Sequence, residues 1–93
     1  MARTIHVRVV TNEGQVMADE AVSIQAPGEI GYLGILYNHA PLVTTLQPGK
    51  LTWRTPDGQT RAVRVDTGLL EITHNRFTLF TTAVSELSQP RHA

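Results

Sequence analysis

The sequence contains no cysteine and no excess of charge of either sign. Without cysteine there is neither a disulfide framework nor thiol chemistry. Eight basic residues balance eight acidic ones, and no block of like charge occurs, so the linear sequence lacks the electrostatic pattern of a nucleic-acid-binding protein. Its apolar runs are far shorter than the roughly 18 residues of a membrane-spanning helix. The first six residues carry no signal-peptide pattern. A length of 93 residues indicates a single globular domain with a modest core.

A helical apolar period is also missing, and only residues 83–87 are compatible with the start of a helix. Apolar and polar residues instead alternate, which is the period of half-buried β-strands. The residues that share one face of a strand are Ile5, Val7, Val9; Val22, Ile24, Ala26; Leu51, Trp53, Thr55; Arg61, Val63, Val65; Leu70, Ile72; and Phe77, Leu79, Thr81, and the valines, isoleucines and leucines are expected to form the core. The sequence therefore predicts an all-β fold, a flattened antiparallel β-sandwich or barrel of about ten short strands, with Trp53 in the core.

Turn signals separate these runs. Asn12-Glu13-Gly14 and Thr55-Pro56-Asp57-Gly58 are expected to form tight turns. Pro48-Gly49 predicts a type II turn in which Gly49 has a positive φ. Asn75 is expected to adopt the left-handed region in a turn with His74.

Residues able to carry out chemistry are few and scattered. Asp19 and Glu20 are adjacent, so on a strand they point to opposite faces, and a solvated turn or strand end is expected for them. None of the three serines lies in a nucleophile-elbow context. The four histidines, His6, His39, His74 and His92, do not have the spacing of zinc ligands. The sequence predicts no catalytic residue, no metal site and no cofactor. His39 is the exception of interest, with either a hydrogen bond to turn backbone or a partner contact expected.

The most unusual segment is residues 31–44, in which two glycines, a histidine and a proline interrupt an apolar run. It is too irregular for a plain strand and too apolar for a solvated loop, so a bent, structured segment is expected. Gly31 and Gly34 are expected to give the backbone room for a bend or bulge. Tyr32 and Tyr37 add aromatic surface that a small sandwich does not easily bury, which favours a protein contact.

This segment resembles the Gly-x-Leu-Gly-Ile-Leu-x-x-His-Ala-Pro-Leu-Val-Thr signature of the epsilon subunit of F-type ATP synthases. Further stretches resemble the same family in the same order and spacing, and they are residues 5–11, 20–28, 47–51, 68–72 and 75–83. The resemblance implies that residues 1–84 form that family's N-terminal ten-stranded β-sandwich domain. Residues 85–93 are then a short C-terminal tail, without the helical hairpin that usually follows in the family.

The resemblance also implies a function. Such a domain is a non-catalytic rotor subunit of the central stalk, which couples the gamma subunit to the membrane c-ring for ion-driven ATP synthesis or hydrolysis. The chain is then not itself an enzyme, has no nucleotide site and contacts the membrane only indirectly through the complex. Its expected location is the cytoplasmic face of the bacterial inner membrane, as a peripheral part of the synthase.

Two contact sets carry over from the family residue by residue. The c-ring contact is expected at Glu29, Ile30, Gly31, Tyr32 and Leu33. The gamma-subunit contact is expected at His39, Ala40, Pro41, Leu42 and Thr44. The sequence departs from the family's pattern at Tyr32, where an acidic residue is common, at Tyr37-Asn38 in place of Pro-Gly or Pro-Asn, and at Thr67-Gly68 in place of Gly-Gly.

Two other interpretations remain open at the level of sequence. One is a small β-sandwich binding module for peptide or carbohydrate, with Tyr32, Tyr37 and Trp53 as an aromatic platform. The other is a small metal-dependent enzyme on a barrel, which the scattered histidines disfavour.

Overall fold

The computed structural model describes residues 3–86, which form ten β-strands and no helix. The strands are β1 (Ile5–Thr11), β2 (Gly14–Ala21), β3 (Ser23–Pro27), β4 (Tyr32–Leu36), β5 (Leu42–Leu46), β6 (Gly49–Arg54), β7 (Thr60–Val65), β8 (Gly68–Thr73), β9 (Arg76–Thr81) and β10 (Val84–Glu86). This part of the chain accordingly holds no helix long and apolar enough to cross a membrane. The all-β prediction of about ten short strands is confirmed.

The strands form two five-stranded sheets. Sheet A has the order β2-β1-β9-β8-β5, and sheet B has the order β10-β7-β6-β3-β4. All pairings are antiparallel except that of β1 with β9, which runs parallel from His6 opposite Arg76 to Val10 opposite Phe80. A parallel pair needs a long crossover connection. Here the chain passes through β2–β8, and so through most of sheet B, before β9 returns to lie beside β1.

The core lies between the two sheets and is built from the residues on their inner faces. The fully buried set is Ile5, Val7, Val9, Ile24, Ile35, Leu46, Leu51, Val65, Leu70, Ile72, Phe77 and Leu79. Trp53 also lies in this core with 4% of its surface exposed, as the sequence predicted. The predicted aromatic platform for peptide or carbohydrate is therefore wrong in its central member, because an inward-facing indole ring has no free face to stack on a ligand.

Asp19 does not lie in a solvated turn or at a strand end, as the sequence suggested, but inside β2. Its Oδ2 accepts a hydrogen bond of 2.8 Å from Trp53 Nε1 and lies 3.5 Å from Arg61 Nε. The half-buried carboxylate thus satisfies the one polar atom of the core tryptophan. Glu20 points to the opposite, outer face, where its Oε2 accepts a 2.9 Å bond from His6 Nδ1. The expected opposite orientation of the two carboxylates is confirmed.

The bond from His6, and after it one from the Thr4 hydroxyl, holds the pKa of Glu20 below its ordinary value of 4.5. A carboxyl group whose pKa is lowered by folding stabilises the native state above that ordinary value. The contribution is lost as the pH falls through the lowered pKa. It is small because both side chains of the pair are half exposed.

Most predicted turns are confirmed, and two local predictions are wrong. Asn75 has the expected left-handed conformation, with a φ of 61°, and Gly58 has a φ of 89°. Gly49 does not have a positive φ, since it opens β6 as an ordinary strand residue whose missing side chain gives Pro27 room.

Residues 83–86 do not start a helix, because Val84–Glu86 pair with β7 as strand β10. That strand extends two residues past the predicted domain boundary at 84, and residues 87–93 of the predicted tail lie outside the described residues.

The segment 31–44 is more regular than the sequence indicated. Gly31, with a φ of 149°, does supply a turn that other residues rarely adopt. Gly34, in contrast, is an ordinary member of β4, and a Cβ added to it would meet nothing within 4 Å. The irregular composition therefore encodes two strands, β4 and β5, and the connection that carries the chain from sheet B to sheet A.

Candidate partner interface

The turn between β3 and β4 presents the expected c-ring contact residues. Gly28 N donates to Gly31 O over 2.9 Å, which closes the turn tightly. A Cβ on Gly28 would lie 2.8 Å from that carbonyl oxygen, so this position needs glycine. Ile30 at the tip of the turn is fully exposed. An apolar side chain held in solvent on a tight, fixed turn is a suitable anchor for a partner surface.

The remaining side chains of this turn divide between solvent and core. Glu29 Oε2 accepts a 3.1 Å hydrogen bond from Thr45 Oγ1, which ties the turn to β5 in the other sheet. Tyr32 is exposed, and its hydroxyl lies 3.4 Å from Lys50 N. Leu33 is half-buried and packs against the core. Of the predicted c-ring set, Ile30 and Tyr32 are therefore the apolar groups that a partner can reach, and the contact itself stays a prediction.

Two asparagines fix the connection between β4 and β5. Asn38 N donates to Asn75 Oδ1 over 2.6 Å, and Asn75 Nδ2 donates to Asn38 Oδ1 over 3.1 Å. Both residues have left-handed backbones, which asparagine tolerates better than most residues. We call this pair the asparagine clasp. It joins the β4–β5 connection to the β8–β9 turn, which lies 37 residues further along the chain.

His39 follows the clasp directly and is half-buried. Its Nδ1 lies 2.7 Å from the carbonyl oxygen of Ala40, and because a carbonyl only accepts, Nδ1 donates this bond. The hydrogen bond to turn backbone that the sequence suggested is thereby confirmed. Ala40 and Pro41 are exposed beside it, so the structure brings the first three members of the predicted gamma contact together in one ordered loop.

The last two members of that set, Leu42 and Thr44, lie on the inner side of β5. They pair with the buried Ile72 and Leu70, and Leu42 packs against the core. The outward side chain between them is Val43. Leu42 and Thr44 therefore lie on the side of β5 opposite to its exposed surface, and their role as direct partner contacts stays a prediction.

Val43 belongs to an exposed apolar patch on the outer face of sheet A that the sequence analysis missed. Its other members are Leu69 on β8 and Phe80 on β9, which stand opposite each other in register, with the half-buried Val10 beside Phe80 on β1. We call Val43, Leu69, Phe80 and Val10 the sheet A patch. The alternation of each strand places these residues on the face opposite the core, so the signal was present, but only the strand order reveals that they are neighbours.

An open groove of about 930 Å³ lies between β2 of sheet A and the strands β7 and β10 of sheet B. Its lining includes Met17, Asp19, Trp53, Arg61 and Val84. Within the groove, the Asp19 carboxylate is shared between the Trp53 hydrogen bond and the Arg61 ion pair. Within residues 3–86 no group of three histidine, aspartate or glutamate side chains is placed to hold a metal ion.

The described residues thus form a small β-sandwich with an exposed apolar turn tip and an apolar patch on the outer face of one sheet. The chain belongs to the ATP synthase, Delta/Epsilon chain, beta-sandwich domain family, whose profile matches residues 4–86. The ATP synthase epsilon chain of Acidithiobacillus ferridurans is 52% identical over 73 residues, covering 77% of this chain and 50% of that protein. The epsilon chain of Protochlamydia amoebophila is 33% identical over 81 residues, covering 87% of this chain and 55% of that protein. The chain thus spans about half the length of these curated relatives.

Solved structures share the fold at low sequence identity. A chain in the Euglena gracilis mitochondrial ATP synthase, solved with OSCP, F1 and c-ring, superposes with a TM-score of 0.84 at 16% identity over 92% of this chain and 55% of that chain. A chain in the central stalk and c-ring structure of the Tetrahymena thermophila mitochondrial ATP synthase superposes with a TM-score of 0.72 at 15% identity over 88% of this chain and 66% of that chain. These likenesses establish a common fold.

Proposed function

We propose that this chain is a non-catalytic coupling domain in the central stalk of an F-type ATP synthase, where it links the gamma subunit to the c-ring. The observation that carries the proposal is the presence of two separate exposed apolar surfaces on one close-packed sandwich. One is the Ile30 turn tip, and the other is the sheet A patch. A coupling part needs two contact surfaces and a stiff body between them, and close-packed protein interiors transmit load with little compression.

The proposal assigns one partner to each surface. Ile30 and Tyr32, with Glu29, Gly31 and Leu33 holding their turn, contact the c-ring. The loop of His39, Ala40 and Pro41 and the adjoining sheet A patch contact the gamma subunit. In this arrangement the domain sits at the cytoplasmic face of a bacterial inner membrane and meets the bilayer through the assembly. The epsilon-chain identity of its relatives supports the assignment.

The gamma contact can be tested with two matched substitutions. Val43 and Leu36 are aliphatic residues of edge strands in opposite sheets, and they are 64% and 63% exposed. Val43→Ser is expected to weaken binding to the cognate gamma subunit about tenfold, because it removes a buried apolar contact worth more than 1 kcal/mol. Leu36→Ser is expected to leave the dissociation constant within about twofold, since the Leu36 side chain lies on the outer face of sheet B and not on that of sheet A, and the carbonyl with which it accepts from His39 N is kept. Isothermal titration calorimetry measures both.

Equal losses in the two variants, or no binding by the folded wild-type chain, would overturn the gamma assignment. Thermal unfolding of each variant should accompany the titration. Because both side chains already face solvent, the two melting temperatures are expected to agree closely.

A further inference from the structure

The outer face of sheet B carries positive charge only. Its charged side chains are Lys50 and Arg54 on β6 and Arg64 on β7. The other outward positions, fixed by the strand registers, are Ser23, Gln25, Pro27, Tyr32, Gly34, Leu36, Thr52, Thr60, Ala62 and Ser85, and none is acidic. We call this surface the sheet B cationic face. The net charge of the whole sequence is zero, so the fold concentrates positive charge where the linear sequence shows no block of it.

The cations of this face are not neutralised by their surroundings. Within residues 3–86, the ion pairs are His6 with Glu20 and Arg61 with Asp19, and neither involves Lys50, Arg54 or Arg64. Lys50 and Arg64 also stand directly opposite each other in the β6–β7 register. Like charges in that position repel and destabilise a sheet. Such an arrangement points to a negatively charged surface outside the chain.

Two carboxylates at the ends of strands around this face form their hydrogen bonds with other groups. Glu29 bonds to Thr45 on sheet A. Asp66, which follows β7, accepts from Thr67 N through Oδ1 and from Thr82 Oγ1 through Oδ2. Both groups are thus held by partners other than the cations of sheet B.

Sheet A provides an internal comparison. Its outer face carries two arginines, Arg8 and Arg76, and two glutamates, Glu20 and Glu71, so these charges cancel. That face also contains the sheet A patch. The outer face of sheet A therefore combines an apolar patch with balanced charge, whereas the outer face of sheet B carries charge of a single sign.

The sheet B cationic face has the character of a surface that meets a broad anionic plane. The middle of the face is the register row of Gly34, Gln25, Thr52 and Ala62, in which no side chain is large and apolar. The exposed Tyr32 and Leu36 lie to one side of it, on the edge strand β4. A specific protein contact generally needs a central apolar or aromatic anchor, and this row lacks one. Long basic side chains around a flat polar centre suit the headgroups of an anionic bilayer, which attract each lysine or arginine without a specific pocket.

We propose that the sheet B cationic face docks on an anionic phospholipid surface through Lys50, Arg54 and Arg64. This goes beyond the coupling function proposed above, and the isolated chain suffices to test it. Each basic residue near such a surface raises membrane binding about fivefold, so three raise it about a hundredfold. That is weak for a free protein and becomes effective where an assembly already holds the domain close to a membrane.

The test is sedimentation of the chain with phosphatidylcholine vesicles that contain or lack phosphatidylglycerol, at low and at physiological salt. Binding is expected only to the vesicles with phosphatidylglycerol, and salt should weaken it. Lys50→Gln with Arg64→Gln is expected to lower the partition coefficient about 25-fold. The matched control, Arg8→Gln with Arg76→Gln, removes the same charge from sheet A and is expected to leave the partition coefficient within about twofold.

A variant that gains charge keeps the test independent of any loss of folding. Gln25 lies outward on β3 beside Thr52, and Gln25→Lys is expected to raise the partition coefficient about fivefold. The proposal is overturned if the wild-type chain ignores anionic vesicles, or if both double variants lose binding equally. Binding to polyglutamate or to RNA in the absence of vesicle binding would also overturn it. None of these measurements involves the gamma subunit or the c-ring, so their outcome is separate from that of the coupling function.

Discussion

At the scale of single residues, the glycines show how differently one residue type can be used. Gly31 supplies a backbone angle, Gly28 a close approach of two backbones, and Gly34 neither. Gly68 at the start of β8 is the tightest case, since a Cβ there would lie 2.5 Å from the carbonyl oxygen of Phe80 and 2.9 Å from Leu79 Cδ1. The sequence marks all four positions alike, and only the packing distinguishes them.

Gly68→Ala is expected to destabilise the domain by about 1–3 kcal/mol, the usual cost of forcing an extra carbon into a packed site. The neighbouring atom is backbone and cannot move aside without disturbing the β8–β9 ladder. Gly34→Ala is the matched control. It is expected to be neutral or to stabilise by about 0.5 kcal/mol, because the site is open and glycine weakens a strand. Urea unfolding followed by Trp53 fluorescence measures both, and equal stabilities would contradict the steric argument.

What the sequence could predict at this scale follows from local chemistry. Asparagine tolerates the left-handed conformation, which predicts the turn at Asn75. Trp53 shares one face of its strand with Leu51 and alternates with polar residues, which predicts its place in the core. The partnership of Asp19 with Trp53 could not be predicted, since 34 residues separate them and no local pattern marks the pair. Gly49 was misassigned because Pro-Gly signals both a type II turn and a close packing contact, and the pattern does not separate the two.

At the scale of elements, alternation predicts where the strands lie, but it does not always show which face of a strand points to the core. Alternation in β5 separates Leu42 and Thr44 from Val43, yet it does not say which set faces the core. The resemblance to the family indicates Leu42 and Thr44 as contacts, but these residues lie on the inner side of β5. The position of β10 could not be predicted, because three residues are too few to show the alternation of a strand.

The role of the asparagine clasp in joining two connections can be tested by removing the Asn75 side chain. Asn75→Gly keeps the left-handed backbone at no steric cost and removes only the side chain that holds Asn38. The expected results are faster hydrogen exchange at the Asn38 amide and a loss of about 2 kcal/mol in unfolding free energy, since two hydrogen bonds of about 1 kcal/mol each are removed. Amide exchange measured by NMR detects the local opening.

Asn12→Gly serves as the control for this change, because Asn12 lies exposed in the β1–β2 turn, away from the clasp. It is expected to leave exchange at Asn38 unaltered. If Asn38 exchanged at the wild-type rate in Asn75→Gly, the clasp would not be what orders the connection before His39.

At the scale of the whole molecule, the strand order brings distant parts of the chain together. β1, from the start of the described chain, lies between β2 and the central strand β9 of sheet A, and the Trp53 side chain lies between the two sheets. Proteins dominated by such non-local pairings fold slowly, typically in milliseconds to seconds. Neither the pairing of β1 with β9 nor the single-signed face of sheet B could be predicted from the sequence, because both arise from strand order and not from local pattern.

Refolding of this domain is therefore expected to take about milliseconds to seconds at room temperature, and not the microseconds typical of helical bundles. Stopped-flow dilution from urea, followed by the fluorescence of the single tryptophan, measures the rate. Recovery of the full native fluorescence within microseconds would contradict the expectation that non-local pairings, such as that of β1 with β9, limit the folding rate.

The parallel pairing of β1 with β9 also matters while the chain is being made. Ile5–Thr11 is the first of the described strands to leave the ribosome, but one of its two neighbours, Arg76–Thr81, is the ninth of the ten. Until then one edge of β1 stays open, and an open apolar edge invites pairing with other nascent chains. Sheet A therefore stays incomplete during most of the synthesis of the domain. We expect the domain to fold only after nearly all of it has left the ribosome.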